Sequence, residues 1–336
     1  MTEMSTSQRK HFIDFMKGLC ALCIIITHFK WTSIQRLYLL FPFWIDMAVP
    51  VFMLITGYVY TNSFMRHGVC EFKEAYNTAL ILQRFKRILL PYIVIFSIEA
   101  IIDIAINKAT LLNVAIYFFF GGKGPGSYYT PVMIQVILVF PIIYFAIKKF
   151  KVNGFILVWG GVNAAYELLY RLAGLPISIY RICVLRYLFF IAFGCCLAMY
   201  KKTVFGKTVN RILLCTGVIF IICVEYLGID PLIVNFDWKR VSYIAGFYIA
   251  PLFELIVLRE PGVHSSIISE IGKASFHVFL IQMVYYSYFA SKIYEALSNS
   301  VCSLLISIVI CSVVGYCFYR VDKKCQDILC IERYIR

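Results

Sequence analysis

The sequence predicts an all-α, polytopic membrane bundle of about ten transmembrane helices, and three observations carry that prediction. Apolar runs of spanning length recur along the whole chain. Hydrophobic residues make up 61% of the 336 against 15% charged, with a mean hydropathy of +0.81, a balance that would expose large apolar patches on a water-soluble domain. The 32 Lys and Arg against 18 Asp and Glu give +14, and in a membrane chain such an excess reports orientation, because basic loops stay on the cytoplasmic side. Nucleic acid is therefore not an expected partner. With no repeat, low-complexity tract or soluble module in view, residues 1–336 read as one membrane domain with cytoplasmic tails at 1–10 and 321–336.

Spanning runs fall near 12–29, 43–60, 88–106, 131–147, 154–170, 182–200, 212–228, 241–258, 274–290 and 300–319. The stretch 110–120 is apolar but too short to cross and is followed by GGKGPGS, so a short non-spanning helix is expected there. If that stretch stays on one side and the N-terminus is cytoplasmic, the inner loops hold 21 Lys and Arg and the outer loops 10. Letting it cross changes the distribution to 14 inside and 17 outside, against the positive-inside bias. Ten spans with both termini cytoplasmic is the expected topology.

The first run, RKHFIDFMKGLCALCIIITHFKW, carries ionisable groups at both ends of an apolar helix. From Phe12 to His28 the climb is roughly 24 Å of a hydrocarbon core about 30 Å thick, so His28 is expected near the far face. It is the candidate catalytic residue; by depth alone, an interfacial histidine touching water reads the same. Asp14 and Lys17, three apart, are placed to pair across one turn. Asp14 lies about 21 Å below His28 on a straight helix and belongs to the inner mouth or to packing. Asp14 and Lys17 interrupt the run and no small-residue cleavage site follows, so it does not read as a secretory signal. Thirteen cysteines, mostly in apolar runs, imply packing rather than a disulfide framework, and the Cys20–Cys23 spacing on a spanning helix implies neither redox nor metal chemistry.

The second run holds Pro50 and Gly57, which predict a kink or a close helix contact. Ahead of the third lies QRFKRILLPY, where Arg84 and Arg87 share a helix face with Lys86 beside them. Two guanidinium forks suit phosphate oxygens, although a positive-inside stop signal has the same composition. Further polar residues gather in outer halves of spans: Glu99 and Asp103, Glu167 one turn after Asn163, Glu225, and Arg181 and Arg186 beside Tyr180. Buried charges need partners, so such a gathering suggests a polar cavity. Asp103 and Glu225, nearest their helix ends, are expected to reach the interface instead. Glu167 is a candidate catalytic acid or base. Gln282, at mid-depth, is expected to bond across helices, and His277, with no acid at helical spacing nearer than Glu270, is expected to be structural.

In order along the chain, these segments resemble the acyltransferase 3 family of membrane O-acyltransferases. The match consists of Arg9, Asp14 and His28; of VPVFMLITGY, Val49 to Tyr58; of RFKRILLP, Arg84 to Pro91; and of GKASFHVFLIQ, Gly272 to Gln282. Thr56 stands where serine is usual and Gln282 where histidine is common. The resemblance implies a multi-pass protein of the inner or plasma membrane that takes an acyl group, acetyl or another short chain, from acyl-CoA at the cytoplasmic side and gives it to a hydroxyl of an envelope saccharide or lipid-linked glycan. It implies an essential His28 and a donor site at Arg84 and Arg87, with acetyl-CoA as co-substrate and neither a tightly bound cofactor nor a metal. Tyr128, Tyr129, Tyr180 and Arg186 are candidate oxyanion donors. A transporter or flippase for a surface saccharide is the competing reading, but carriers built from inverted repeats show paired interrupted helices, and the second half has no counterpart of Pro50 to Gly57.

Overall fold

The computed structural model describes residues 6–106, 109–150, 155–229, 244–259, 266–297 and 299–328, and every regular element among them is helical. In chain order these are α1 (Thr6–Thr27), α2 (Ser33–Tyr38), α3 (Ala48–Arg66), α4 (Phe72–Ala75), α5 (Thr78–Ala105) and α6 (Leu111–Phe119), then α7 (Tyr129–Phe150), α8 (Phe155–Leu172), α9 (Ile177–Ile182), α10 (Leu188–Tyr200), α11 (Lys207–Ile221) and α12 (Ile249–Arg259), and finally α13 (Ser266–Lys273), α14 (Ser275–Val284), α15 (Ala290–Ala296) and α16 (Ser300–Ile328). Single-turn 3-10 and π segments join several of them.

Each of the ten apolar runs is helical within the described residues, but only five described helices are both long and apolar enough to cross a membrane: Phe41–Arg66, Phe72–Ala105, Tyr129–Phe150, Lys207–Tyr226 and Ser300–Asp327. A sixth span counts if α13 and the helix that follows, bent by 72°, act as one. Part of the difference from ten has physical causes. The described part of α1 opens with Arg9, Lys10, Asp14 and Lys17 in its first half, and the run at 182–200 is broken by a 3-10 turn before α10. The run at 241–258 lies partly outside the described residues. The non-spanning helix expected at 110–120 is α6, nine residues long.

The described residues form two compact units. The first comprises residues 1–12, 31–75 and 138–263. Its centre is the crossing of α3 and α10, where backbone meets backbone. A Cβ on Gly57 would lie 2.1 Å from the Ile191 carbonyl oxygen, and one on Gly194 would lie 2.0 Å from that of Leu54. The small-residue contact read from Gly57 is thus reciprocal, as is common where membrane helices associate. It also explains α10, which is apolar on every side because Leu188 through Ala198 are all buried by protein. Thr56 keeps its hydroxyl inside its own helix, donating to the Phe52 carbonyl at 2.8 Å. Gly57→Leu is expected to lower stability by about 3 kcal/mol or more through overpacking against a carbonyl that cannot retreat, read as a lowered thermal midpoint of the detergent-solubilised protein.

Two buried acids mark this unit. Glu254 on α12 accepts the Val204 amide at 2.7 Å and the Asn210 side chain at 3.0 Å. Glu167 and Asn163 are both buried on α8. Nearby, Arg186 lies over the rings of Tyr180 and Tyr187, at 4.5 and 5.5 Å, and Tyr180 is stacked by Tyr166 and Tyr170 of α8. Arg186 is therefore held by aromatic faces, an arrangement worth more where water is excluded.

The second unit comprises residues 13–30, 76–137 and 264–336. Here α1 crosses α13 at two glycines: a Cβ on Gly18 would sit 2.0 Å from the Ile268 carbonyl and one on Gly272 1.6 Å from that of Asp14. The Asp14–Lys17 pair forms at 3.2 Å beside this crossing. α14 packs along α16 with Gly315 against the backbone of Val278.

Candidate functional site

His28 follows directly after the last turn of α1, in the second unit. Its ring meets Tyr286 edge-on at 6.1 Å between centroids, and the Tyr286 hydroxyl donates to the Ile25 carbonyl at 2.7 Å. The phenol thus ties the end of α1 to the π-helical turn Tyr285–Phe289 that follows α14. Such turns re-aim side chains that a regular helix would point elsewhere and recur at functional sites.

The loop Gly121–Ser127, the breaker cluster of the sequence, forms another wall. It is laid against one face of α14: a Cβ on Gly124 would be 2.6 Å from the Met283 carbonyl, and one on Gly126 would be 2.8 Å from the Phe279 ring and 3.8 Å from His28 Nε2. Gly126 has φ +89°, a conformation that L side chains rarely adopt. Glycine therefore serves twice at this position, for the turn and for clearance beside the imidazole. Phe279, Gln282, Met283 and Tyr286 recur at helical spacing on the α14 face that meets this loop and His28. Tyr129, at the start of α7, packs on Phe279 at 5.0 Å, and Tyr128 precedes it half-buried.

The loop is pinned to α5. Lys123 pairs with Asp103 at 2.9 Å, and its amide makes a long hydrogen bond to Glu99 Oε2 at 3.4 Å. Asp103 is thus buried and paired, not extended to an interface as its place near the helix end suggested; the cation comes from a loop twenty residues on. Gln282 bonds across elements as expected, through Nε2 to the Pro125 carbonyl at 3.4 Å. His277 has an acid partner after all, since its Nε2 meets Asp322 of α16 at 2.8 Å. Lys123→Met is expected to lower stability by about 2 kcal/mol, less than for a fully buried pair because the lysine is partly solvated. Paired with Asp103→Asn in a double-mutant cycle of thermal midpoints, it is expected to show less than additive loss.

The arginine pair stands toward the other end of α5. Arg84 precedes Glu99 by fifteen residues, about 22 Å along a straight helix. Arg84 and Lys86 are half-buried and Arg87 is exposed. The second unit therefore contains His28, Arg84, Lys86, Arg87, Asp14, Tyr128, Tyr129 and Gln282, whereas Glu167 and Arg186 belong to the first. Sequence reasoning did not single out the contacts of Glu99, Gly126, Phe279 and Tyr286. Of these, Glu99 gave a signal as an acid inside an apolar run and the glycine cluster gave one as a turn; Phe279 and Tyr286 gave none.

Long apolar helices make the described residues those of a helical membrane protein, in which a histidine is framed by an aromatic ring and a glycine loop. The chain belongs to the acyltransferase 3 family: the family's acyltransferase domain matches residues 10–319, nearly the whole length. No curated protein and no solved structure matches it.

Proposed function

We propose that this acyltransferase moves an acetyl or other short acyl group from acyl-CoA to a hydroxyl of an envelope saccharide or lipid-linked glycan, with His28 as general base. The observation that carries the reading is the setting of His28 in a chain of this family: an imidazole framed by Tyr286 and Gly126, in the same compact unit as a paired arginine motif.

In the proposed reaction His28 removes the proton of the acceptor hydroxyl as its oxygen attacks the thioester carbon. The tetrahedral intermediate collapses with cleavage of the C–S bond, and the imidazolium returns its proton to the departing thiolate. Imidazole suits both transfers because its charge changes near neutrality. Tyr128 or Tyr129, which follow the glycine loop, would donate to the oxyanion. Arg84, Arg87 and Lys86 would hold the nucleotide phosphates, with the pantetheine arm running along α5 toward His28. Asp14 contributes packing at the α1–α13 crossing. Glu167 remains a proposed catalytic acid or base on its burial, with Arg186 as a supporting cation.

The asymmetry of 21 and 10 basic residues supports ten spans with cytoplasmic termini in an inner or plasma membrane, the donor site facing the cytoplasm. The test is transfer from radiolabelled acetyl-CoA by membranes holding the wild type, His28→Ala, or Arg84→Ala with Arg87→Ala. Label transfer equal in all three would overturn the mechanism. Uptake of intact saccharide without labelling would favour a carrier.

A further inference from the structure

Two buried acceptor oxygens flank the glycine loop, and no described residue supplies either with a donor. Glu99 is 2% exposed and its Oε1 makes no hydrogen bond; Gln282 is fully buried and its Oε1 makes none. Their remaining polar atoms are spent on the loop itself, Glu99 Oε2 on the Lys123 amide and Gln282 Nε2 on the Pro125 carbonyl. Leaving such an oxygen unsatisfied costs about 1–3 kcal/mol, and buried polar atoms almost always find a partner. A pair of them around one loop is therefore a feature to be explained.

Their position narrows the explanation. Glu99 touches the loop at Gly122 and Gln282 touches it at Pro125, so the two contacts are separated by at most about 11 Å of chain. The next residue, Gly126, faces His28 Nε2. Gln282 lies one helical turn after Phe279, which packs on Gly126, and one before Tyr286, which meets the imidazole.

We infer that Glu99 and Gln282 form a hydroxyl-recognition subsite that reads the acceptor's other hydroxyl groups while one of them is presented to His28. The inference rests on the proposed acyl-transfer reading. The ligand class follows from the atoms. An anion is repelled by two acceptor oxygens, which also keeps the donor's phosphates away from this end of α5. A free cation competes with Lys123, already placed between the loop and Asp103. A hydroxyl donates one hydrogen bond and accepts others, so it satisfies the amide oxygen of Gln282 and the carboxyl of Glu99 in either protonation state. A polyhydroxyl acceptor, a saccharide, supplies several at sugar-ring spacing. Alcohols with one hydroxyl cannot.

The experiment uses full-length protein in nanodiscs, radiolabelled acetyl-CoA, and two kinds of acceptor probe: methyl hexopyranosides of gluco, galacto and manno configuration with their monodeoxy analogues, and benzyl alcohol. Gln282→Leu and Glu99→Gln are compared with wild type. Expected is a rise of about 10–100-fold in KM for the best glycoside, the size of one lost buried hydrogen bond, with loss of discrimination against a deoxy analogue. KM for acetyl-CoA is expected within about twofold of wild type, and transfer to benzyl alcohol is expected to fall much less than transfer to the glycoside, a split that a misfolded variant would not show. Wild-type transfer to glycosides with unchanged KM and discrimination in both variants overturns the subsite alone. No transfer by wild type to any hydroxyl probe overturns the acyl-transfer reading on which the subsite rests.

Discussion

His28→Ala is expected to reduce kcat by about 10³-fold, within the usual range for removal of a general base, while KM for acyl-CoA changes by less than about threefold. The separation follows from geometry. The imidazole borders Tyr286 and Gly126, whereas Arg84 lies about 22 Å along α5 from Glu99, the residue of that helix that meets the glycine loop. His28→Gln tests whether shape alone matters: it keeps a hydrogen-bonding side chain of similar reach but cannot cycle a proton, and it is expected to be as inactive as the alanine variant. In wild type, kcat/KM is expected to fall on the acid side of its pH profile, because protonated imidazole cannot accept the hydroxyl proton. That limb is expected to disappear from the residual rate of His28→Ala. A residual rate that keeps the limb, or an alanine variant with a near-normal kcat, would remove His28 from the chemistry. Tyr286→Phe is a useful neighbour, since it removes only the hydroxyl bonded to Ile25 and is expected to cost about fivefold through loosened positioning.

The helices were legible in the sequence because hydrophobic run length is a local property, and local properties survive without tertiary knowledge. Gly57 announced a close contact, and the breaker cluster after Phe120 announced a turn. Run length cannot tell a helix facing lipid from one surrounded by protein, so the burial of α10 on every side was not legible. Nor does it report breaks made by packing: the bend of 72° between α13 and α14 falls at Lys273–Ser275 without a proline. Partners distant in sequence were invisible for the same reason. Asp103 finds Lys123 twenty residues on, His277 finds Asp322 forty-five on, and Gln282 finds Pro125 across 157 residues. Of the candidate site, His28 stood out as an ionisable group ending an apolar run, which is costly enough to call for a reason, and Arg84 and Arg87 as two forks on one helix face at the entry to another. The wall around His28 was not, because glycine, phenylalanine and tyrosine are ordinary in a membrane helix until something polar is found against them.

Replacing Arg84 and Arg87 together by alanine is expected to raise KM for acetyl-CoA about 100-fold with kcat changed by less than about fivefold. Two charge-assisted hydrogen-bonding groups to phosphate account for that loss at roughly 1.5 kcal/mol each. Interactions with the nucleotide are the same before and during acyl transfer, so removing them subtracts uniform binding and leaves the chemical step at His28 alone. Arg84→Lys with Arg87→Lys is expected to recover only part of the affinity, since an ammonium offers no planar fork. The decisive comparison uses acetyl-pantetheine, a donor without the nucleotide. Wild type is expected to prefer acetyl-CoA over it by about the same 100-fold, and the double alanine variant to have lost that preference. Should the variant still prefer the full donor, the phosphates are gripped elsewhere and the arginines serve only to hold the start of α5 at the cytoplasmic surface. Because acetyl-pantetheine bypasses the phosphate contact while still presenting its thioester to His28, its rate in the variant also separates damage to the donor site from damage to the fold.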